Sequence, residues 1–335
     1  MRTFSLSLPF LMAISLAACN SGGGSAANRP QDNAESRPPA ASAKNVIFFL
    51  GDGMGIATTT AARIYSVGED GQLTMDTLPE SGFVKTFSND AQVTDSAPSM
   101  SAYMTGVKMN NEVISMSTDT VAKSPNADLT SNCGAGNGKA VSTLLELAKA
   151  GNRATGVVTT TRVTHATPAA TYSHVCHRDA EADIAAQLVP GSALYNAALK
   201  DGVDVVFGGG RQFFLPKAAG GKRADGRDLV AELKTRGYGY AADKAGFDAI
   251  DPVRTRRAVG LFTASHMSYD LDRDAAKEPS LAEMTSKAIA MLAGRSDKQG
   301  MFLMVEGGRI DHALHETTAK KALQDTVAFD QAIQA

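Results

Sequence analysis

The sequence predicts an α/β fold, a doubly wound, mainly parallel sheet with helices on both faces. Three observations carry this. Short continuous apolar runs recur along the chain, each ending in small residues. Helical patterns lie between them, which is the spacing of crossover connections and gives strands buried on both sides. The unusual polar residues stand just after the apolar runs, where open parallel sheets bind their ligands.

In order, "NVIFFLGDGMG" from Asn45 reads as a buried strand ending in a turn. "GFVKTF" reads as a further β-rich run, and a helix follows Ser96. "AVSTLLELAKAGN" reads as a helix stopped by a glycine-containing signal, before the strand "ATGVVTTT". "VDVVFGGG", "RAVGLFTA" and "MFLMVEGG" read as later strands. In "SLAEMTSKAIAMLAGR", Leu281, Met284, Ala288, Met291 and Leu292 form one apolar helical face.

A chain of 335 residues can bury a large core in one or two domains. Its hydrophobic content of 43% and charged content of 20% are those of a soluble globular protein. A formal net charge of -2 offers no electrostatic case for binding nucleic acid. Residues 1–19, "MRTFSLSLPFLMAISLAAC", have one early positive charge, a short apolar run and small residues before a cysteine. That is secretory-signal architecture, and the run is too short to span a membrane. "LAAC" resembles a bacterial lipobox, which makes Cys19 a lipidation site; a plain signal peptide is the other reading. Residues 20–44, rich in Gly, Ser, Ala and Pro, read as a disordered linker. The expectation is an exported protein of the periplasm or cell envelope. Asn20 after the cysteine, rather than aspartate, favours the outer membrane. Only three cysteines occur, so this is no disulfide scaffold. With Cys19 lipidated, an exported context permits Cys133 and Cys176 to pair; two buried thiols is the alternative.

Residues 45–335 hold four stretches that carry chemistry. In "VTDSAPSMSAYMTGVK", Asp95 and Ser96 open a helix, where either residue type serves as an N-cap. Capping alone explains the pair, unless the hydroxyl is a nucleophile. In "GDGMG", Asp52 ends a strand, as a cap or as a hard-metal ligand. "THATPAATYSHVCHRDAE" gathers His165, Thr167, His174, His177 and Arg178 after a strand. His174 and His177 read as structural or surface groups. Arg178 is either a surface ion-pair partner or a phosphate fork, since a guanidinium offers two parallel hydrogen bonds. In "VEGGRIDHALHE", Glu306 ends a strand, where a charge is costly unless paired or metal-bound. Asp311 and His315 are four apart and share a helical face. A carboxylate with a histidine suits zinc, and carboxylates with a hydroxyl suit magnesium.

Taken together, "VIFFLGDGMG", "VTDSAPSMSAYMTGVK", "THATPAATYSHVCHR", "FGGGRQFF" and "FLMVEGGRIDHALH" resemble, in order and spacing, the motifs of the alkaline phosphatase family. The resemblance implies hydrolysis of phosphate monoesters through a phosphoserine, with two zinc ions and one magnesium ion. Ser96 then resembles the nucleophile and a zinc ligand, and Arg178 the clamp on phosphate oxygens. Asp95 resembles the carboxylate that orients the clamp. Asp52 resembles the carboxylate between magnesium and the second zinc, Thr167 and Glu306 the other magnesium ligands, and Asp311 and His315 ligands of the first zinc. His165 stands where other members carry aspartate or histidine, which leaves the third metal open between magnesium and zinc and sets His165 outside the ligand set. His312, at a variable position, is expected to contact phosphate through water. A homodimer is a further expectation. The family also supplies an aspartate–histidine pair and another histidine beyond His315, and no such pair precedes Ala335. The resemblance thus implies that the last part of the fold is missing and that these 335 residues alone turn over little substrate. The alternatives are a phosphodiesterase or sulfatase of the same superfamily, or a phosphate- or metal-binding lipoprotein. Ser96 lacks the C-x-P-x-R surroundings of sulfatases, and Arg178 at this spacing favours monoesters.

Overall fold

The computed structural model describes residues 43–335. The signal and lipobox with Cys19, and nearly all of the linker, lie outside the described residues. Six strands form one parallel sheet. They are β1 (Asn45–Gly51), β2 (Ala154–Arg162), β3 (Val205–Gly209), β4 (Gly239–Ala241), β5 (Ala258–Leu261) and β6 (Met301–Gly307). Their order across the sheet is β1-β6-β2-β3-β5-β4. The helices are α1 (Ile56–Val67), α2 (Ser96–Thr105), α3 (Leu144–Ala150), α4 (Ala166–Tyr172) and α5 (Glu181–Gln187). After them come α6 (Leu229–Thr235), α7 (Lys244–Asp248), α8 (Leu281–Ala293), α9 (Arg309–His315) and α10 (Ala319–Gln334).

Alternation along the strands builds two cores, because successive side chains point to opposite faces. Val157, Phe302 and Met304 join Met100, Leu145, Tyr172 and Ile184 of α2 to α5 in one cluster. Val158, Leu303 and Val305 join Met284, Leu292 and Phe329 of α8 and α10 in the other. The inner apolar runs are therefore strands covered on both faces, as the sequence predicts. By contrast β1, expected to be buried, lies at the end of the described sheet and is only half-buried, with Val46 exposed. Leu281, Met284, Ala288, Met291 and Leu292 are all buried on α8. Ser280 and Glu283 close its N-terminus as a reciprocal capping box.

Two elements differ from expectation. Residues 82–87, "GFVKTF", form no strand; Phe83 is 92% exposed and Val84 and Phe87 are also exposed. A β-prone run becomes a strand only where another backbone pairs with it, and here the Lys108 ammonium covers the Phe87 ring instead, 3.3 Å from its centroid. Conversely, the three-residue β4 is too short for any periodic signal.

Between α2 and α3 the chain is tied down by isolated contacts. Ile114 and Val175 exchange backbone hydrogen bonds of 3.0 and 3.1 Å. Cys133 and Cys176 form a disulfide, with Cα atoms 5.6 Å apart. This resolves the cysteine alternatives in favour of the bridge. No described helix is long and apolar enough to cross a membrane.

Candidate active site

The register of the sheet assembles the site. β1 and β6 pair from Asn45 opposite Met301 to Gly51 opposite Gly307. β2 places Thr159 opposite Glu306. Asp52 therefore leaves β1 beside Glu306, at the carboxyl edge where α/β folds bind ligands. The turn after β1 must be tight, and Gly53 makes it so. Its φ is +64°, and a Cβ there would lie 2.7 Å from Asp311 Oδ1 and 3.0 Å from Asp311 Cα. Any side chain at this position pushes α9 away from the strand end.

Ser96 is the first residue of α2, and Asp95 is its N-cap, accepting from the Ala97 N–H at 2.7 Å. Such a cap contributes about 1 kcal/mol. Pro98 sits in the first turn, where its missing N–H costs nothing. The Ser96 hydroxyl donates to Asp52 Oδ2 at 2.9 Å. The capping role thus falls to Asp95 and leaves the Ser96 hydroxyl directed at Asp52. Arg178 Nη1 donates to Asp95 Oδ1 at 2.9 Å, and Nη2 lies 3.0 Å from His165 Nε2. One carboxylate therefore fixes both the helix that carries the hydroxyl and the guanidinium beside it. A cleft of about 700 Å³ opens here, lined among others by Asp52, Ser96, His165, Arg178, Asp311 and His315.

Behind Ser96 lies a carboxylate pair. Glu306 is fully buried, and Thr159 and Thr161 donate to its Oε2. Thr167 Oγ1 lies 3.5 Å from Asp52 Oδ2. Burial pushes the Glu306 carboxyl up to about 8, with the Asp52 charge adding to it. Burial, with Asp311 nearby, pushes Asp52 up to about 6. Glu306 Oε1 and His165 Nδ1 are buried without a hydrogen-bond partner. Donor atoms of Asp52, His165 and Glu306 all lie within 4.8 Å of one another. Two crowded carboxylates and two orphaned acceptor positions fit a divalent cation, which would remove the repulsion and satisfy both. His165 stands inside this donor group. Asp311 and His315 approach each other at 3.4 Å on α9, as their spacing predicts. They are two donors rather than three.

The far wall contains residues that sequence reasoning missed. His266, after β5, stacks edge-on against His312 at 4.3 Å and His165 at 5.3 Å between ring centroids. Its ring contacts the Arg162 guanidinium, and its Nδ1 accepts from the Arg162 backbone N–H at 3.3 Å. Arg162 in turn forks onto buried Glu181 through two 2.8 Å bonds. Arg309 Nη1 lies 2.7 Å from His312 Nδ1. Burial and these guanidinium groups push His266 down to about 2 and His312 to about 4. Burial, then Arg178, holds His165 well below the usual imidazole range. The three rings are neutral acceptors beside cations. Thr159 and Thr161 share one strand face, but threonine is ordinary in a strand, and His266 has no local signal. His174 is structural as expected, its Nε2 2.6 Å from buried Glu146 and its Nδ1 2.7 Å from the Ser115 carbonyl. His177 lies at the rim, 4.0 Å from Glu112 and 3.9 Å from Asp179.

Residues 43–335 match the family model described as alkaline phosphatase. The chain is 39% identical over 323 residues to the tissue-nonspecific alkaline phosphatase of Mus musculus, covering 87% of this chain and 59% of that protein. It is 38% identical to an alkaline phosphatase of Gadus morhua, covering 87% and 65%. The chain thus spans about three fifths of the length of such relatives. Among solved structures, the Thermus thermophilus alkaline phosphatase superposes with a TM-score of 0.71 at 31% identity, covering 87% of this chain and 55% of that one. The enzyme of the Antarctic bacterium TAB5 gives 0.69 at 27% identity, covering 87% and 73%. A TAB5 variant with a histidine exchanged for glutamate is described with magnesium bound in its M3 site.

Proposed function

Because the chain belongs to the alkaline phosphatase family, we propose that its cleft transfers the phosphoryl group of a phosphate monoester to Ser96 and then to water. The observation that carries this is the bonding at the start of α2: the Ser96 hydroxyl donates to Asp52, while the adjacent Asp95 accepts from the Ala97 N–H and from Arg178. It joins a hydroxyl, a helix N-terminus and a guanidinium around one volume. Arg178 and the N–H groups of α2 hold the phosphate oxygens. Asp95 keeps the guanidinium from swinging out, and Asp52 sets the direction of the Ser96 hydroxyl. The Ser96 oxygen bonds to phosphorus as the ester P–O bond breaks and the alcohol takes a proton; water then cleaves the phosphoserine to inorganic phosphate.

Asp52, Thr167, Glu306 and His165 would hold one divalent ion, and Asp311 with His315 would contribute to another. When bound, such ions lower the pKa of the nucleophile and neutralise charge on the phosphoryl and leaving oxygens. Magnesium in the TAB5 variant supports a magnesium-type ion among the oxygen donors. The His165 nitrogen in the donor group favours zinc there. Two zinc ions with one third ion remain the reading that fits the donor types.

The test is stoichiometric labelling, which needs one transfer only and so reads the nucleophile even where turnover is slow. Protein supplied with zinc, magnesium and a phosphate monoester is quenched in acid and digested, and the peptides are weighed. The expected result is a phosphoryl group on Ser96 and none in Ser96→Ala. Label on another residue, or label surviving in Ser96→Ala, refutes the assignment. Export and anchoring through Cys19 are proposed alongside it: Cys19→Ser should move the protein from the membrane to the soluble fraction.

A further inference from the structure

Six residues other than glycine take a positive φ among the described residues, and one of them, Glu112, is hydrogen-bonded to Asp95 and Arg178 of the cleft lining. Glu112 has φ +70°, at the third position of a turn closed by the Val113 N–H on the Asn110 carbonyl at 3.2 Å. Turns with positive φ at that position favour glycine or asparagine, because a Cβ there crowds the following carbonyl oxygen. Strain of this kind persists only where the surroundings over-determine it, and it concentrates at functional sites.

Here the surroundings form a closed ring. The Glu112 N–H donates to Asp95 Oδ2 at 2.6 Å. The Glu112 carbonyl accepts from the Arg178 N–H at 2.8 Å. The Arg178 guanidinium returns to Asp95 Oδ1 at 2.9 Å. Asp95 also caps α2, so the ring relates the guanidinium to the start of the helix that bears Ser96. Two residues on, the Ile114–Val175 bridge holds the turn against the segment that leads to Arg178. The Cys133–Cys176 disulfide pins that segment from its other side. The Glu112 carboxylate takes no part in the ring; its nearest ion-pair partner is His177 at 4.0 Å.

We infer that Glu112 is a positioning residue for the phosphate clamp: its left-handed peptide ties Asp95 to Arg178 and sets the guanidinium against Ser96. This rests on the reading of Arg178 as the clamp. The backbone does the work, so the side chain is replaceable by glycine, which accepts this φ and keeps both hydrogen bonds. A β-branched residue, a genuine outlier at positive φ, forces the turn to change.

The experiment measures the affinity of inorganic phosphate by titration calorimetry in the full chain with zinc and magnesium. Glu112→Val is expected to bind phosphate at least about tenfold more weakly, since misplacing a binding group by 1 Å carries penalties of that order or more. Glu112→Gly should stay within about twofold of the parent. Lys200→Val, at a left-handed residue outside the cleft, controls for general loss of stability and should also stay within about twofold. Unchanged phosphate affinity in Glu112→Val, or an equal loss in Lys200→Val, overturns the inference. If the parent chain binds no phosphate, the clamp reading itself fails. The positioning link is then read separately from hydrogen exchange at the Arg178 amide. Exchange as slow in Glu112→Val as in the parent overturns the link, and loss of protection supports it.

Discussion

Asp325 offers a sharp test of the electrostatics beneath the site. It lies on α10, is 5% exposed, and accepts one hydrogen bond, from the Asp270 N–H at 3.2 Å. That contact anchors the loop carrying His266 to α10, as does the Gln324 amide on Asp270 at 2.9 Å. Burial first, and the Asp270 and Asp272 charges after it, push the Asp325 carboxyl from 3.8 up to about 7. The folded chain therefore holds this proton more tightly than the unfolded chain does. Its contribution to stability is complete below pH 4 and is lost as pH rises to about 7. Each pH unit in that window removes about 1.4 kcal/mol. Asp325→Asn keeps the acceptor for Asp270 and never ionises. Between pH 5 and pH 8 the stability of the variant relative to the parent should therefore rise by roughly 2–3 kcal/mol, from the two pH units that remain below 7. Taking the difference between two pH values cancels the fixed cost of the new amide N–H group and any titration elsewhere that both proteins share. Urea unfolding at the two pH values supplies the four free energies. A gap that stays constant from pH 5 to pH 8 refutes the assignment of a protonated, buried Asp325.

Three further outcomes are expected. Zinc or magnesium at pH 8 should raise the melting temperature of the chain and a chelator should reverse it; Glu306→Gln should raise the metal-free melting temperature while losing most of the response, because it removes both the repulsion and a donor. Calorimetric melting of both proteins with and without metal decides this. Residues 20–335 with zinc and magnesium should hydrolyse a chromogenic phosphate monoester only slowly, since Asp311 and His315 bring two donors where zinc sites use at least three; robust zinc-dependent turnover contradicts it. Glu146→Ala should destabilise the fold by roughly 2–4 kcal/mol in urea titrations, because it strands the His174 ring, the Asn196 amide and the Thr143 N–H that its carboxylate now satisfies.

What could be read from the sequence follows a physical boundary between local and tertiary causes. The runs "VIFFL", "GVVTTT" and "MFLMV" declare parallel strands because their apolar residues alternate between two cores. Asp95 and Ser96 declare a helix start because an N-cap needs its oxygen at that position and no other. Asp311 and His315 declare a shared face because helical geometry fixes it four residues apart. None of these depends on a distant partner. The failures all do. "GFVKTF" has the composition of a strand, yet strand formation is a property of two segments, and residues 82–87 find no second one. His266 stands in an irregular loop, and nothing nearby distinguishes it from a surface histidine. Its role comes from β5 delivering it between Arg162, His165 and His312, which lie in two other parts of the chain. Thr159 and Thr161 fail for a different reason: threonine is also the ordinary choice for a β-strand. The same letters serve pairing and carboxylate binding, and the buried Glu306 opposite decides between them. Glu112 is the extreme case, since its contribution is a backbone angle that its residue type disfavours. A chain that needs φ +70° at one point to join a helix cap to a guanidinium can supply it with any residue the surrounding ring will hold. Positions of that kind leave no compositional trace, and only the closed ring of hydrogen bonds reveals them.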